Sequence, residues 1–324
     1  MSDLAAQGQG SVEALPEERP RDWPLTNCYV DLWMGVLRHW QFDPVAGLAF
    51  TVTQDFEGDQ FTFFKHPLDD LERLYGVLVQ ELSIYRDLEA HAVEQVRRNR
   101  LFIVEVDGYC LPDTRSTSYR TTHTKTTIGI DEIDPRRRQA QYFHNGGRYV
   151  IEGADYDVAM CHRLAPDALA DWLPPYVEVA GRRFPALPDH DLATEAVAML
   201  RRHLRRAPNV NPIERYAEAF PRHVDQLIAA STDFFHLYAF NTVRQLGANF
   251  ELLGVFLRWL ERRGQYGLES IATRCDELSA TAKVLQFRLA RVSARRRADD
   301  CTEHLDMLQR CYEQILSSLN LRFG

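Results

Sequence analysis

The spacing of apolar residues changes along this chain, and the change divides it in two. Within Cys28–Trp40, Val30, Trp33, Met34 and Leu37 recur at helical spacing, and so do Tyr29, Leu32, Val36 and Trp40. Two apolar stripes on one segment predict a helix buried on most sides. Helices are also predicted over Leu68–Leu82 and Arg86–Arg98. Leu101–Val106 is a short apolar, β-branched run and reads as a strand; 123–130, 139–145 and 149–151 read as further strands. Turn signals separate them at Gly108, Asp134-Pro135 and Gly146-Gly147. Pro174-Pro175 and the stretch Pro185 to Pro188 mark a boundary. From Asp191 onward the pattern is helical over 191–206, 213–230, 232–263, 268–292 and 298–319, rich in Leu, Ala, Arg and Glu. The expected architecture is a polar, disordered tail over 1–21, an α+β domain over 22–188 and a helical bundle over 189–324.

Composition narrows the function classes. The 324 residues are 45% hydrophobic and 26% charged, as in a soluble globular protein. A net charge of −8 argues against general nucleic-acid binding. No apolar run approaches membrane-spanning length, and residues 1–20 lack the basic start and apolar core of a signal peptide. The six cysteines are scattered, with no CxxC pair and no zinc-ligand spacing, so neither a disulfide framework nor a metal is expected. A reducing cytoplasm is the expected location. Arginine gathers in short runs, each able to meet an acidic partner, such as the one with Arg201, Arg202, Arg205 and Arg206; otherwise such runs are solvated faces. Asp55, Glu57 and Asp59 around Gly58 read as a solvated turn rather than a calcium loop, and Phe234-Phe235 as bundle core.

The chemistry centres on Cys28. Asn27 is a good N-cap, which places Cys28 in the first helical turn. Unpaired N–H groups and the helix dipole there favour an anion, and the thiolate is the nucleophilic form of cysteine. A nucleophilic cysteine needs a base and an orienting group. If the hairpin turn centres on Asp134-Pro135, opposed residues sum to about 268–269, and His123 and Asn145 sum to 268. They are then expected side by side, His123 as base and Asn145 as its orienter; a shift of one residue would substitute His144.

Four segments carry a resemblance: Asn27-Cys28 through Gly47-Leu48-Ala49-Phe50, Val106–Pro112, His123–Gly129, and Tyr142-Phe143-His144-Asn145. They resemble an uncharacterised bacterial family, a domain of unknown function whose members are encoded beside stand-alone carrier proteins and ligases that load amino acids onto them. More remotely, residues 25–165 are similar to the papain-like acyltransferase domain of butirosin biosynthesis protein H. The resemblance implies an α+β, papain-like cysteine-enzyme domain with a C-terminal helical bundle. It further implies an acyltransferase that moves an aminoacyl group from the phosphopantetheine arm of a carrier protein, through Cys28, to a small-molecule amine. No bound cofactor, nucleic acid or membrane is then expected. Papain-like proteases carry a Gln shortly before the cysteine for the oxyanion hole. Here Asp22-Trp23-Pro24-Leu25 stand there, which leaves Asn27 and the Cys28 backbone N–H as expected donors. The same triad would serve a cysteine hydrolase, and a non-catalytic carrier-binding adaptor is the remaining alternative.

Overall fold

The computed structural model describes Trp23, residues 25–162 and residues 173–324. The segment 1–21, expected to be a disordered tail, lies outside the described residues. Those that are described gather into two compact units that do not follow the chain in order. One comprises Cys28–Asp43 and Leu71–Ala186. The other comprises Pro44–Asp70, Leu187–Gly324 and the segment ending at Asn27.

The first unit is a six-stranded antiparallel sheet with helices on both faces. Its strands are β1 (Val77–Glu81), β2 (Leu101–Asp107), β3 (Lys125–Asp134), β4 (Gln139–His144), β5 (Gly147–Glu152) and β6 (Val177–Arg182), in the order β1-β6-β2-β3-β4-β5. Side chains alternate across the sheet. Phe102, Val104 and Val106 of β2, Ile128 and Ile130 of β3, Ala140 and Tyr142 of β4 and Val177 and Val179 of β6 share one face. That face packs with Leu88 and Ala92 of α3 (Leu88–Arg97) and Tyr156 and Ala159 of α4 (Gly153–Ala159).

The opposite face carries α1 (Cys28–His39), in which Tyr29 through Leu37 are all buried. Leu32 meets Leu101 over Gly129, where an added Cβ would lie 3.1 Å from both side chains. Gly35 sits on the backbone of Gly146 with equally little room. The helix axis therefore comes close to β3 and to the β4–β5 turn because two glycines leave space for it.

The long helix predicted over Leu68–Leu82 is instead α2 (Leu68–Tyr75) followed by β1. Gly76 breaks it with φ +66°, a conformation that L residues rarely adopt. Strand β6 follows the first proline pair and was not anticipated, because the sheet needs a partner between β1 and β2 that local periodicity does not announce.

The second unit is helical: α5 (Asp189–Leu204), α6 (Pro212–Ala229), α7 (Thr232–Ala239), α8 (Gln245–Arg262), α9 (Glu269–Arg295) and α10 (Thr302–Phe323). The helix expected over 232–263 is interrupted by a π-turn at Phe240–Arg244. The segment Pro44–Thr53 belongs here because it is mostly apolar, forms a 3₁₀ helix and packs on α5 and α8. Trp23 also belongs here: its indole N–H donates to Ser279 Oγ at 2.9 Å, and the ring lies against Gly247.

Gly76 and Gly153 give a paired test of the sheet unit. A Cβ on Gly76 would sit 2.1 Å from the Phe184 carbonyl oxygen, whereas one on Gly153, also at positive φ, meets nothing within 4 Å. Gly153→Ala is expected to lose about 1 kcal/mol and Gly76→Ala roughly 2–4 kcal/mol, read from urea unfolding midpoints.

Candidate functional site

Cys28 opens α1 with its side chain against the sheet, its sulfur 3.7 Å from Thr127 Oγ1. It is only partly buried, unlike Cys110, Cys275, Cys301 and Cys311. Burial pushes the Cys110 thiol up to about 12 and the Cys301 thiol up to about 11, and raises Cys161 as well. Thr127 pairs with Glu105, and two residues further along the same face Lys125 pairs with Asp107. The Cys28 face therefore continues past the helix start as a polar strip. Lys125 Nζ donates to Glu105 Oε1 at 2.6 Å. Beside it on β6, buried Glu178 accepts from the phenols of Tyr29 at 2.8 Å and Tyr176 at 2.9 Å. Burial and the facing Glu178 carboxylate raise both phenols, Tyr176 to about 12.

At the far end of the strip stands His123. Its Nδ1 lies 2.5 Å from Asp107 Oδ2, and its ring stacks on Tyr109 at 4.5 Å between centroids. Asp107 Oδ1 accepts the backbone N–H of Tyr109 at 3.0 Å and of Thr124 at 3.1 Å. Partial burial works to raise the Asp107 carboxyl, but the His123 bond and the two backbone bonds outweigh it and hold the group below its ordinary value. An ionised Asp107 accepting Nδ1–H leaves Nε2 as the basic nitrogen, in a side chain that is 78% exposed.

Asn145 is not beside His123. The β3–β4 turn holds four residues, 135–138, with Arg138 at φ 51°, and opposed residues sum to 273 at Asp134 and Gln139. A register shift between Ile130 and Glu132 then lowers the sum to 272 at Gly129 and Phe143. The longer turn thus moves β4 several residues from the expected pairing, and the shift returns only one of them. β4 ends at His144, and Asn145-Gly146 forms the two-residue β4–β5 turn, both with positive φ, as in a type I′ hairpin. Turn chemistry, and not hydrogen bonding to an imidazole, accounts for an Asn there.

His144 does not replace His123 either. Phe143 faces α1, 5.2 Å from the His39 ring, so His144 points to the opposite face. There its Nδ1 lies 2.6 Å from Asp113 Oδ2 and its Nε2 2.7 Å from Thr126 Oγ1, with Tyr142 also donating to Asp113. This buried network ties the loop around Asp113 to the sheet and is separated from Cys28 by the sheet itself.

The remaining predicted residues are placed as follows. Asn27 is buried in the second unit, and its side-chain N–H donates to the Phe64 carbonyl at 3.0 Å, so that donor is committed away from an oxyanion. Arg202 pairs with buried Asp70, which also binds His203 at 2.7 Å. Arg201, Arg205 and Arg206 are exposed. Among the described residues no group of three or more His, Cys, Asp or Glu side chains is placed to hold a metal, and no helix is long and apolar enough to cross a membrane.

The polar strip turns on Asp107, which is outside the expected triad; as a candidate acid/base residue it is equally well explained by the end of a strand, and its position two residues beyond Glu105 on one strand is the available signal. Residues 13–182 match the DUF1839 N-terminal domain and residues 189–321 the DUF1839 C-terminal domain. The chain belongs to the DUF1839 family. No curated protein matches it. The boundary between the two DUF1839 domains falls between β6 and α5, where the sheet unit gives way to helices.

Exposure and thiol environment together predict selective chemistry. Iodoacetamide at neutral pH is expected to modify Cys28 ahead of the other five cysteines, read by peptide mass mapping, with Cys28→Ala removing the fast phase. Equal fast labelling in that variant would contradict the assignment.

Proposed function

We propose that this chain is a cysteine-dependent acyltransferase that accepts an acyl or aminoacyl group from a carrier-protein phosphopantetheine thioester and passes it to an amine. The observation that carries the reading is the placement of Cys28 and the Asp107–His123 pair on one face of one sheet. A buried helix with cysteine at its N-terminus, laid on an antiparallel sheet, is also the arrangement expected of a papain-like enzyme.

The spacing on that face suits a substrate held between the two groups. Cys28 lies at the Glu105–Thr127 pair and His123 is bound at the Asp107–Lys125 pair, two residues or about 7 Å along the strands. That is the separation of their anchor points on the sheet, and among the described residues no hydrogen bond joins the thiol to the imidazole. The separation is close to the span of a sulfur, a carbonyl carbon and an attacking amine whose N–H reaches Nε2, at roughly 3 Å per contact. His123 thus acts on the acceptor, and Asp107 takes the orienting role first expected of Asn145.

The steps balance without a cofactor. The Cys28 thiolate attacks the thioester carbonyl, and the N-terminal backbone N–H groups of α1 stabilise the oxyanion. The carbon–sulfur bond to the pantetheine arm breaks, and its thiolate takes a proton from solvent. The amine then attacks the acyl-Cys28 carbonyl, gives its proton to His123 Nε2, and the Cys28 carbon–sulfur bond breaks to restore the thiolate. A thioester donor suits a site whose Asn27 amide is committed elsewhere, since the leaving thiolate needs less help than an amide nitrogen. The exposed residues Arg201, Arg205 and Arg206 offer positive charge to an acidic carrier.

Incubation with an acyl-loaded carrier followed by intact-mass measurement is expected to show one acyl group per chain, on Cys28, and none in Cys28→Ala. Asp107→Asn is expected to lower turnover with an amine about 10- to 100-fold and Asn145→Gly to leave it near wild type. Acylation that persists in Cys28→Ala would overturn the proposal, and release of free acid with no need for an amine would make the chain a hydrolase.

A further inference from the structure

The helical unit contains a cavity of about 860 Å³, open to solvent, which the chemistry above does not use. It is an open hollow bordered by the loop around Gly58, by α6, by α7 and by the π-turn. The loop is held in place at several points. Phe56 and Phe61 bridge across it, the Phe61 N–H donates to the Asn241 carbonyl in the π-turn at 3.1 Å, and Arg222 of α6 donates to the Gly58 carbonyl at 3.0 Å. Arg215 of α6 pairs with Asp55 at its base. Single π-turns inside α-helices recur at functional sites because they displace side chains from the regular helical position.

The lining combines three features. One wall is apolar, formed by Ala230, Phe234, Leu237 and the Tyr238 ring. Phe234, expected in the bundle core, is on this wall. At the floor, His223 is 2% exposed. Its Nδ1 is bound to Tyr238 Oη at 3.1 Å, and Tyr238 is bound to Tyr216 at 2.8 Å. Among the described residues Nε2 has no partner, so a buried ring presents an unpaired nitrogen to the cavity. Burial and the adjacent Arg222 guanidinium keep this histidine below its ordinary pKa, against the opposing influence of Asp59, so the ring is neutral at neutral pH. Finally, Arg222 and Asp59 line the same cavity without pairing. Asp59 has no hydrogen bond or ion pair among the described residues, and Arg222 has none with a carboxylate.

We propose that this cavity binds a small zwitterion with an apolar body, the chemistry of a free aromatic or large aliphatic α-amino acid. Arg222 and His223 Nε2 meet the carboxylate, Asp59 meets the ammonium, and the side chain lies on Phe234, Leu237 and Tyr238. The volume falls within the roughly 300–1,000 Å³ of small-molecule sites, and the pattern of apolar wall with a few convergent polar groups is theirs as well. The assignment is independent of the chemistry at Cys28.

The test is calorimetric titration of the full chain with L-phenylalanine, with phenethylamine, which lacks the carboxylate, and with 3-phenylpropanoate, which lacks the ammonium. Phenylalanine is expected to bind at one site per chain, and each truncated molecule about tenfold or more weakly. Arg222→Gln is expected to weaken phenylalanine about tenfold while leaving phenethylamine unchanged, and Asp59→Asn to do the reverse with 3-phenylpropanoate. Both side chains are exposed, and only Arg222 gives up a bond, to the Gly58 carbonyl, so a melting temperature at or slightly below wild type with an unchanged circular dichroism spectrum excludes misfolding. No heat with phenylalanine at millimolar concentration, equal affinity for the truncated molecules, or wild-type affinity in Arg222→Gln would each overturn the proposal.

Discussion

The close approach of α1 to the sheet is the constraint on which the rest of the first unit depends. Leu32 fits over Gly129, and Gly35 rests on Gly146. A side chain larger than hydrogen at Gly129 or Gly35 would lift or rotate the helix, and with it the residue at its first turn. Because α1 is buried along Tyr29 to Leu37, its position is over-determined, and Cys28 is placed against Thr127 with little freedom. The same contact explains why the thiol is neither in the core nor free in solvent. The helix covers the sheet only as far as Thr127, and beyond that point the face is polar.

That polar extension is what the proposed chemistry rests on. On the covered part of the face the residues are Leu101, Ile103, Gly129 and Phe143; past Cys28 they become Glu105, Lys125, Asp107 and His123. Asp107 matters most among these because it does three jobs with one carboxylate. It caps the turn that follows β2 through the N–H of Tyr109, holds the start of β3 through the N–H of Thr124, and fixes the imidazole of His123. The histidine is thus oriented by the backbone that ends the strand, and Tyr109 limits its rotation by stacking.

The sequence made α1 legible because a buried helix has an unambiguous period, and Cys28 followed from it. Strands β2, β3 and β4 were legible as runs, but their register was not. Register depended on a four-residue turn with Arg138 in the left-handed region and on a shift near Asp131, and neither has a composition signal as strong as the Asn-Gly that closes β4 and β5. The arithmetic that joined His123 to Asn145 therefore failed, although His123 itself does stand on the Cys28 face. In the helical half, element positions were read within a few residues. The π-turn at Phe240–Arg244 and the recruitment of Pro44–Asp70 into that unit were not, since both follow from tertiary packing of segments whose local pattern is uninformative.

The central claim is that a thiol and an imidazole on one sheet face act in sequence on one acyl group. The direct measurement is the discharge of isolated acyl-Cys28 by an added amine, followed by quenched intact mass in wild type and in His123→Gln. The account predicts that the acyl-enzyme still forms in the variant but discharges to the amine about 10²- to 10⁴-fold more slowly. Equal discharge rates in the two proteins would contradict it.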